Sequence, residues 1–214
     1  MSKAFQPESG FMGGFSKAVD TVILGFLWLL CCIPVFTVGA ASSALYYGFH
    51  KAIRQDRGYP LKTFFRAFRD NFKQATGIWL MVLVFLSLSG FTCYLLLLML
   101  GRMPMAGFML SMGVVIMIVT LMWCLYLFPY QSRFQNTWVN VMKNSILLMA
   151  ANIPRSLLLL ILFAAAVALS FYKPAMTVLA VAVYIWLSNR NLERVFRRVM
   201  TREALQTEIE ADDT

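Results

Sequence analysis

Long apolar blocks constrain the fold of this chain more than any other feature of its sequence. They are long enough to matter, because a helix needs roughly 20 residues to cross about 30 Å of hydrocarbon. The composition agrees: 60% of the residues are apolar and only 14% are charged, far from the balance of a soluble domain. We therefore expect an all-α, polytopic membrane helical bundle with five transmembrane helices, at about residues 21–38, 75–100, 105–128, 156–172 and 175–190.

The polar parts of the sequence leave no room for a separate soluble domain. The longest polar stretch, Lys51 to Lys73, has only 23 residues. Residues 1–17 lack the basic region and cleavage site of a signal peptide, so we expect the first apolar block to be retained. The sequence predicts one transmembrane domain over residues 1–200 and an acidic tail over residues 201–214.

Proline interrupts two of the predicted crossings. Pro34 lies near the end of the first, and Pro154 near the start of the fourth. The stretch from Thr21 to Phe49 would exceed 40 Å as a straight helix, more than one crossing requires. We expect a bend at Pro34–Gly39, after which residues 39–49 slide out along the cytoplasmic interface. The alternative is that residues 39–49 cross back, which would place the N-terminus inside.

The basic residues predict the orientation. Fifteen of the 19 lysines and arginines fall in three segments that would share one side of the membrane, at 51–73, 133–155 and 190–202. The other four are Lys3, Lys17, Arg102 and Lys173. Because basic loops stay in the cytoplasm, we expect the N-terminus outside and the C-terminus inside.

A basic amphipathic segment precedes the second predicted crossing. Phe64, Phe65, Phe68 and Phe72 recur at helical spacing with cations between them, as in helices that lie on an anionic lipid surface. The alternative is a helix packed on the cytoplasmic end of the bundle. With the arginine-rich end of the last helix, this segment gives a predicted docking surface for the anionic inner leaflet or a partner protein, and not for nucleic acid. Its residues are Lys62, Arg66, Arg69, Lys73, Arg190, Arg194, Arg197 and Arg198.

The two proline breaks would lie at similar depth in the inner leaflet. Broken helices expose backbone polar groups, which at membrane depth must be buried in protein or face water. We therefore predict a polar inner-leaflet site there, although two ordinary proline bends with polar headgroup contacts are the simpler interpretation. The predicted site comprises Thr37, Ser42, Ser43, Arg133, Asn152 and Arg155.

Catalytic and metal-binding patterns are missing from the sequence. All ten acidic residues lie outside the predicted hydrocarbon core, whereas ion-coupled transporters commonly use carboxylates there. No phosphate loop, HExxH or GxSxG motif occurs. The single histidine, His50, has no evident nucleophile partner, and the four cysteines lack metal-ligand spacing. We expect no enzyme activity, no catalytic residue, no metal and no cofactor.

Three segments of the chain form a recognisable set. They are Leu27 to Tyr47, with Ile33-Pro34-Val35 and its small residues, Phe64 to Thr76, and Phe128 to Pro154, with Phe128-Pro129-Tyr130, Lys143-Asn144-Ser145 and Asn152-Ile153-Pro154. Together they resemble the YesL family of bacterial membrane proteins, long catalogued as a domain of unknown function. The resemblance covers about residues 11–200 and brings no active-site residues.

The resemblance implies a multi-pass protein of the bacterial cell membrane. Members of the family are often encoded beside sugar-uptake ABC transporters, two-component regulators and polysaccharide-degrading enzymes. This implies an accessory or regulatory role in carbohydrate uptake, with ABC transporter subunits or a membrane sensor as partners. The alternative is an autonomous small-solute transporter whose site lies at the broken helices.

Overall fold

The computed structural model describes residues 10–55, 59–101, 103–134, 136–173 and 176–199. The predicted acidic tail and the side chain of Arg198 lie outside this part. The described part is helical and contains no strand, which confirms the predicted all-α bundle. Its helices are α1 (Gly10–Cys31), α2 (Val38–Gly48), α3 (Pro60–Leu98), α4 (Ala106–Arg133), α5 (Trp138–Ala151), α6 (Ile153–Tyr172) and α7 (Thr177–Val199).

Four of these helices are long and apolar enough to cross a membrane: α1, α3, α4 and α6. This agrees with a multi-pass membrane protein. The fifth predicted crossing, at 175–190, falls in α7, where arginines and asparagines follow soon after the apolar first turns. The count of five crossings stays a prediction.

The chain reverses direction after α1. A 3₁₀ turn at Val35–Thr37 follows Pro34, and Thr37 Oγ1 donates a 2.6 Å hydrogen bond to the Pro34 carbonyl. Helix α2 then runs back beside α1. Trp28 Nε1 donates to Ser42 Oγ at 3.2 Å, and Gly48 packs beside Leu24. The break predicted at Pro34 is therefore confirmed, and it forms a helical hairpin.

Helix α2 is buried in the bundle, so the prediction that residues 39–49 slide out along the interface is wrong. Small side chains explain the difference. Gly39, Ala40, Ala41, Ser43 and Ala44 are all buried, and they let α3 and α4 approach the α2 backbone closely. A π-helical turn, Phe49–Arg54, continues α2 without a break.

The amphipathic segment is not a separate interfacial helix but the first part of α3. This helix has 39 residues and is therefore about 58 Å long, roughly twice the hydrocarbon thickness. Phe64 and Ala67 are buried, and Ala75, Ile78 and Val82 continue the same buried stripe. The first part of α3 thus packs on the bundle along its apolar face while its cations remain exposed.

Helix α4 continues past Pro129, where we had expected the third crossing to close. Proline lacks an N–H and so removes one helical hydrogen bond, but the helix runs one further turn to Arg133. Ser132 Oγ donates to the Pro129 carbonyl at 2.8 Å in this turn. The break predicted before Pro154 is confirmed, since α5 ends at Ala151 and α6 begins at Ile153.

Candidate functional site

Polar side chains from α2, the π-helical turn, α4 and α7 meet inside one end of the bundle. Residues spaced by four share a helix face, and this spacing recurs on both contributing stretches, 46–50–54 and 189–193. The extra turn of α4 beyond Pro129 adds an arginine. The buried ionic cluster comprises Tyr46, His50, Arg54, Arg133, Asn189 and Glu193.

Glu193 is the centre of the buried ionic cluster, with only 1% of its surface exposed. Tyr46 Oη donates a 2.7 Å hydrogen bond to its Oε1 atom. Arg133 donates from a terminal nitrogen to Oε2 at 3.2 Å, forming an ion pair. A buried carboxylate is tolerated only when it is paired and hydrogen-bonded. These two partners therefore connect α2, α4 and α7 through a single side chain.

His50 lies against this carboxylate from the π-helical turn. Its Nδ1 is 3.3 Å from Glu193 Oε1, and its ring stacks on that of Tyr46 with a centroid separation of 6.3 Å. Within the described part of the chain, neither ring nitrogen meets a partner in hydrogen-bond alignment. Burial, reinforced by the guanidinium groups of Arg133 and Arg54, lowers the pKa of His50 to about 3. The imidazole is therefore neutral at physiological pH.

The exposed Arg54 and the buried Asn189 extend the buried ionic cluster to the surface. Arg54 donates from a terminal nitrogen to Asn189 Oδ1 at 3.0 Å. Asn189 is fully buried, and its amide also interacts with the ring of His50. Burial and the nearby Glu193 carboxylate also raise the pKa of Tyr46, so this hydroxyl remains a donor. Chemically, the arrangement is a fixed network that holds helices together in the bundle interior.

Sequence reasoning missed the pairing of Glu193 with His50. The sequence predicts only that Glu193 lies outside the hydrocarbon core and shows no nucleophile partner for His50, whereas in the structure both are buried and lie against each other. A signal for Glu193 existed. It lies on the same face of α7 as Ile185, Leu192 and Phe196, which are all buried. An acidic residue on the apolar face of an amphipathic helix indicates a buried cation elsewhere in the chain.

The six residues of the predicted polar site lie in different surroundings. Thr37 bonds to the turn after α1, Ser42 accepts from Trp28, and Ser43 is buried in α2. No hydrogen bond of the described residues joins any of these three to the α5–α6 break. A single polar pocket at the two breaks stays a prediction.

The other predicted members lie elsewhere. Asn152 Nδ2 donates to Leu148 O at 3.2 Å, so it closes the end of α5, and Arg155 lies in the first turn of α6. Arg133 belongs to the buried ionic cluster. The six predicted residues thus lie in several separate surroundings.

The predicted docking residues are exposed wherever their side chains are described. On α3 these are Lys62, Arg66, Arg69 and Lys73. On α7 they are Arg190, Arg194 and Arg197, which lie on the exposed side of the helix, next to the edge of the buried face that carries Glu193. Among the residues that the structure describes, no group of three His, Cys, Asp or Glu side chains could hold a metal ion.

Comparisons with known proteins add a family model. Searches of the curated proteins and of the solved structures found no match. Residues 21–92, about a third of the chain, match the model of a family described as a protein of unknown function, DUF624. The matched region contains α2, the π-helical turn and the first part of α3, and with them Tyr46, His50 and Arg54 of the buried ionic cluster.

Proposed function

We propose that this integral membrane protein is an accessory or regulatory component of carbohydrate uptake in the bacterial cell membrane. The resemblance to the YesL family supports this role. In the proposed arrangement the C-terminus is cytoplasmic, as the basic residues near it favour. The protein docks a sugar ABC transporter subunit or a membrane sensor through its basic surface, while the cations of α3 contact anionic lipid.

The observation that carries the docking proposal is the two-sided character of α7. Arg190, Arg194 and Arg197 form one exposed basic face. The adjoining buried face is fixed in the bundle through the ion pair between Glu193 and Arg133. A rigidly held row of cations suits the acidic surface of a partner, because charge complementarity steers association and selects partners.

Co-purification tests this proposal. The full-length chain is tagged, expressed in the bacterium that encodes it and purified from native membranes, and sugar ABC transporter subunits and membrane sensors are identified in the eluate. We expect them to be retained with the wild type and lost with the triple variant Arg190→Glu, Arg194→Glu, Arg197→Glu. Lys143→Glu, on an exposed face of α5, is the matched control. Equal retention by the triple variant, or no such partner with the wild type, would refute the docking role.

The alternative function, an autonomous small-solute transporter, draws support from the two helix breaks at Pro34 and Asn152. Solute flux into liposomes that contain only this protein distinguishes the two. For an accessory component we expect sugar uptake no faster than in empty liposomes. Saturable uptake by the protein alone would favour the transporter.

We further propose that the protein is not an enzyme and uses no cofactor. His50 and Glu193 are the pair that most resembles catalytic machinery, but both side chains are at least 95% buried. A general base must reach the proton that it abstracts from a substrate. Burial supports a structural role for this pair.

A further inference from the structure

A polar cleft of about 1150 Å³ opens beside the buried ionic cluster. Its walls are the end of α2 and the π-helical turn, the first part of α3, and the link between α4 and α5. The side chains that line it include Tyr47, Lys51, Lys62, Arg66, Gln131 and Trp138. This volume is large enough for a small organic molecule.

The charge of the cleft favours an anion. Lys51, Lys62 and Arg66 line it, and Asp70 is the one carboxylate among the lining residues that the structure describes. Arg66 and Asp70 are exposed and 3.7 Å apart, and a pair of this kind is weak and readily exchanged. Lys51 is held toward the cleft, since its Nζ donates to Tyr47 Oη at 3.3 Å. Arginine and lysine are the side chains that bind phosphate most strongly.

The side chain of Gln131 gives a second, independent argument for a ligand in the cleft. The residue lines the cleft, but only 3% of it is exposed, and both polar atoms of its amide are buried. Among the described residues, neither its amide nitrogen nor its amide oxygen has a hydrogen-bond partner. A buried amide is normally satisfied, so an unsatisfied one calls for an explanation. An amide donates and accepts at once, as binding to a hydroxyl group requires.

We propose that this cleft binds an organophosphate that carries hydroxyl groups. Lys62 and Arg66 bind the phosphate. The Gln131 amide turns from its buried position toward the ligand and bonds a hydroxyl, and the rings of Tyr47 and Trp138 cover the carbon skeleton. Two sources supply this chemistry: the headgroup of phosphatidylglycerol in the membrane, or a free sugar phosphate in the cytoplasm. The proposal deepens the lipid contact of the proposed function, because Lys62 and Arg66 belong to both, and it is separate from docking through the arginines of α7, which do not line the cleft.

A two-arm binding experiment tests the proposal. In the first arm, the full-length protein in phosphatidylcholine nanodiscs is titrated with glucose 6-phosphate, and with glucose as the unphosphorylated control. In the second arm, phosphatidylglycerol retained by the protein is counted by native mass spectrometry after release from mixed-lipid nanodiscs. We expect saturable binding in one arm, which identifies the source.

Three variants locate the binding. Lys62→Gln with Arg66→Gln should weaken it at least tenfold, since each loses a charge-assisted hydrogen bond. Gln131→Met keeps the side-chain length without the amide, and should weaken binding several-fold while the unfolding temperature stays equal or rises. Lys143→Gln with Lys173→Gln, two exposed lysines outside the cleft, is the charge-matched control and should change nothing. Binding in neither arm, or equal losses with the control, would overturn the proposal.

Discussion

Glu193 remains inside the bundle only because Arg133 and Tyr46 reach it from two other helices. Removing one member of a buried ion pair leaves the other charge without compensation, at a cost of about 3–5 kcal/mol. We therefore expect Glu193→Ala to lower the free energy of unfolding by about this amount, because the guanidinium of Arg133 stays buried. Thermal and urea unfolding of the protein in detergent measures the loss.

The matched control removes both charges. An apolar pair of similar volume often replaces a buried ion pair with little loss. Glu193→Leu combined with Arg133→Met should therefore be clearly more stable than Glu193→Ala. Arg194→Ala, one residue along on the exposed face, should be close to wild type. If the double variant were as unstable as Glu193→Ala, the uncompensated charge would not be the cause.

His50 gives the bundle a pH dependence of defined sign. Its pKa is about 3 in the folded protein and about 6.5 in the unfolded chain, so below pH 6.5 the unfolded chain binds more protons. The contribution of His50 to stability is complete above pH 6.5 and is lost as the pH falls from there toward 3, by at most about 1.4 kcal/mol per unit. We expect the unfolding temperature to drop more between pH 7 and pH 4.5 in the wild type than in His50→Gln. Parallel profiles would mean that the pKa of His50 is the same in the folded and unfolded states.

At the scale of the element, α2 packs closely against α3 because Gly39 has no side chain. A Cβ atom at Gly39 would lie 2.7 Å from Trp79 Cβ and 2.8 Å from the Ala75 carbonyl oxygen. Because the second neighbour is backbone, α3 itself would have to move. We expect Gly39→Ala to destabilise the protein by about 1–3 kcal/mol, the usual cost of overpacking. Unfolding in detergent measures it.

Gly90→Ala is the control for Gly39→Ala. Gly90 lies in α3, and an added Cβ atom there meets nothing within 4 Å. The alanine should therefore leave stability unchanged or raise it by up to about 1 kcal/mol through helix propensity. Equal losses at both positions would show that the effect belongs to glycine replacement in general and not to the contact between α2 and α3.

The sequence predicts these elements well where hydrophobicity alone determines them. The breaks at Pro34 and Pro154 and the crossings in α3, α4 and α6 follow from apolar length and proline chemistry. The burial of α2 does not, because Gly39 to Ala44 would suit a surface turn as well as a close helix contact. Likewise, the partnership of Glu193 with Arg133 spans 60 residues and depends on the tertiary fold.

At the scale of the whole molecule, the hairpin of α1 and α2 bears on the orientation of the chain. The π-helical turn contacts α1, so the start of α1 lies at the same end of the bundle as the basic first part of α3. The prediction of an external N-terminus depends on a single crossing by α1 without a returning helix, and it stays a prediction. With the hairpin, a cytoplasmic N-terminus brings Lys3 and Lys17 to the basic side, which fits the distribution of basic residues better.

Cysteine accessibility decides between the two orientations. In a variant with alanine at the four native cysteines, single cysteines are placed by Ser2→Cys, Lys173→Cys and Thr214→Cys, and intact cells are treated with a membrane-impermeant maleimide. We expect labelling of Lys173→Cys only, and labelling of the other two after the cells are opened, because both termini would be cytoplasmic. Labelling of Ser2→Cys in intact cells would place the N-terminus outside. Because the start of α1 and the basic first part of α3 lie at the same end of the bundle, that basic end would then be external too, against the distribution of basic residues.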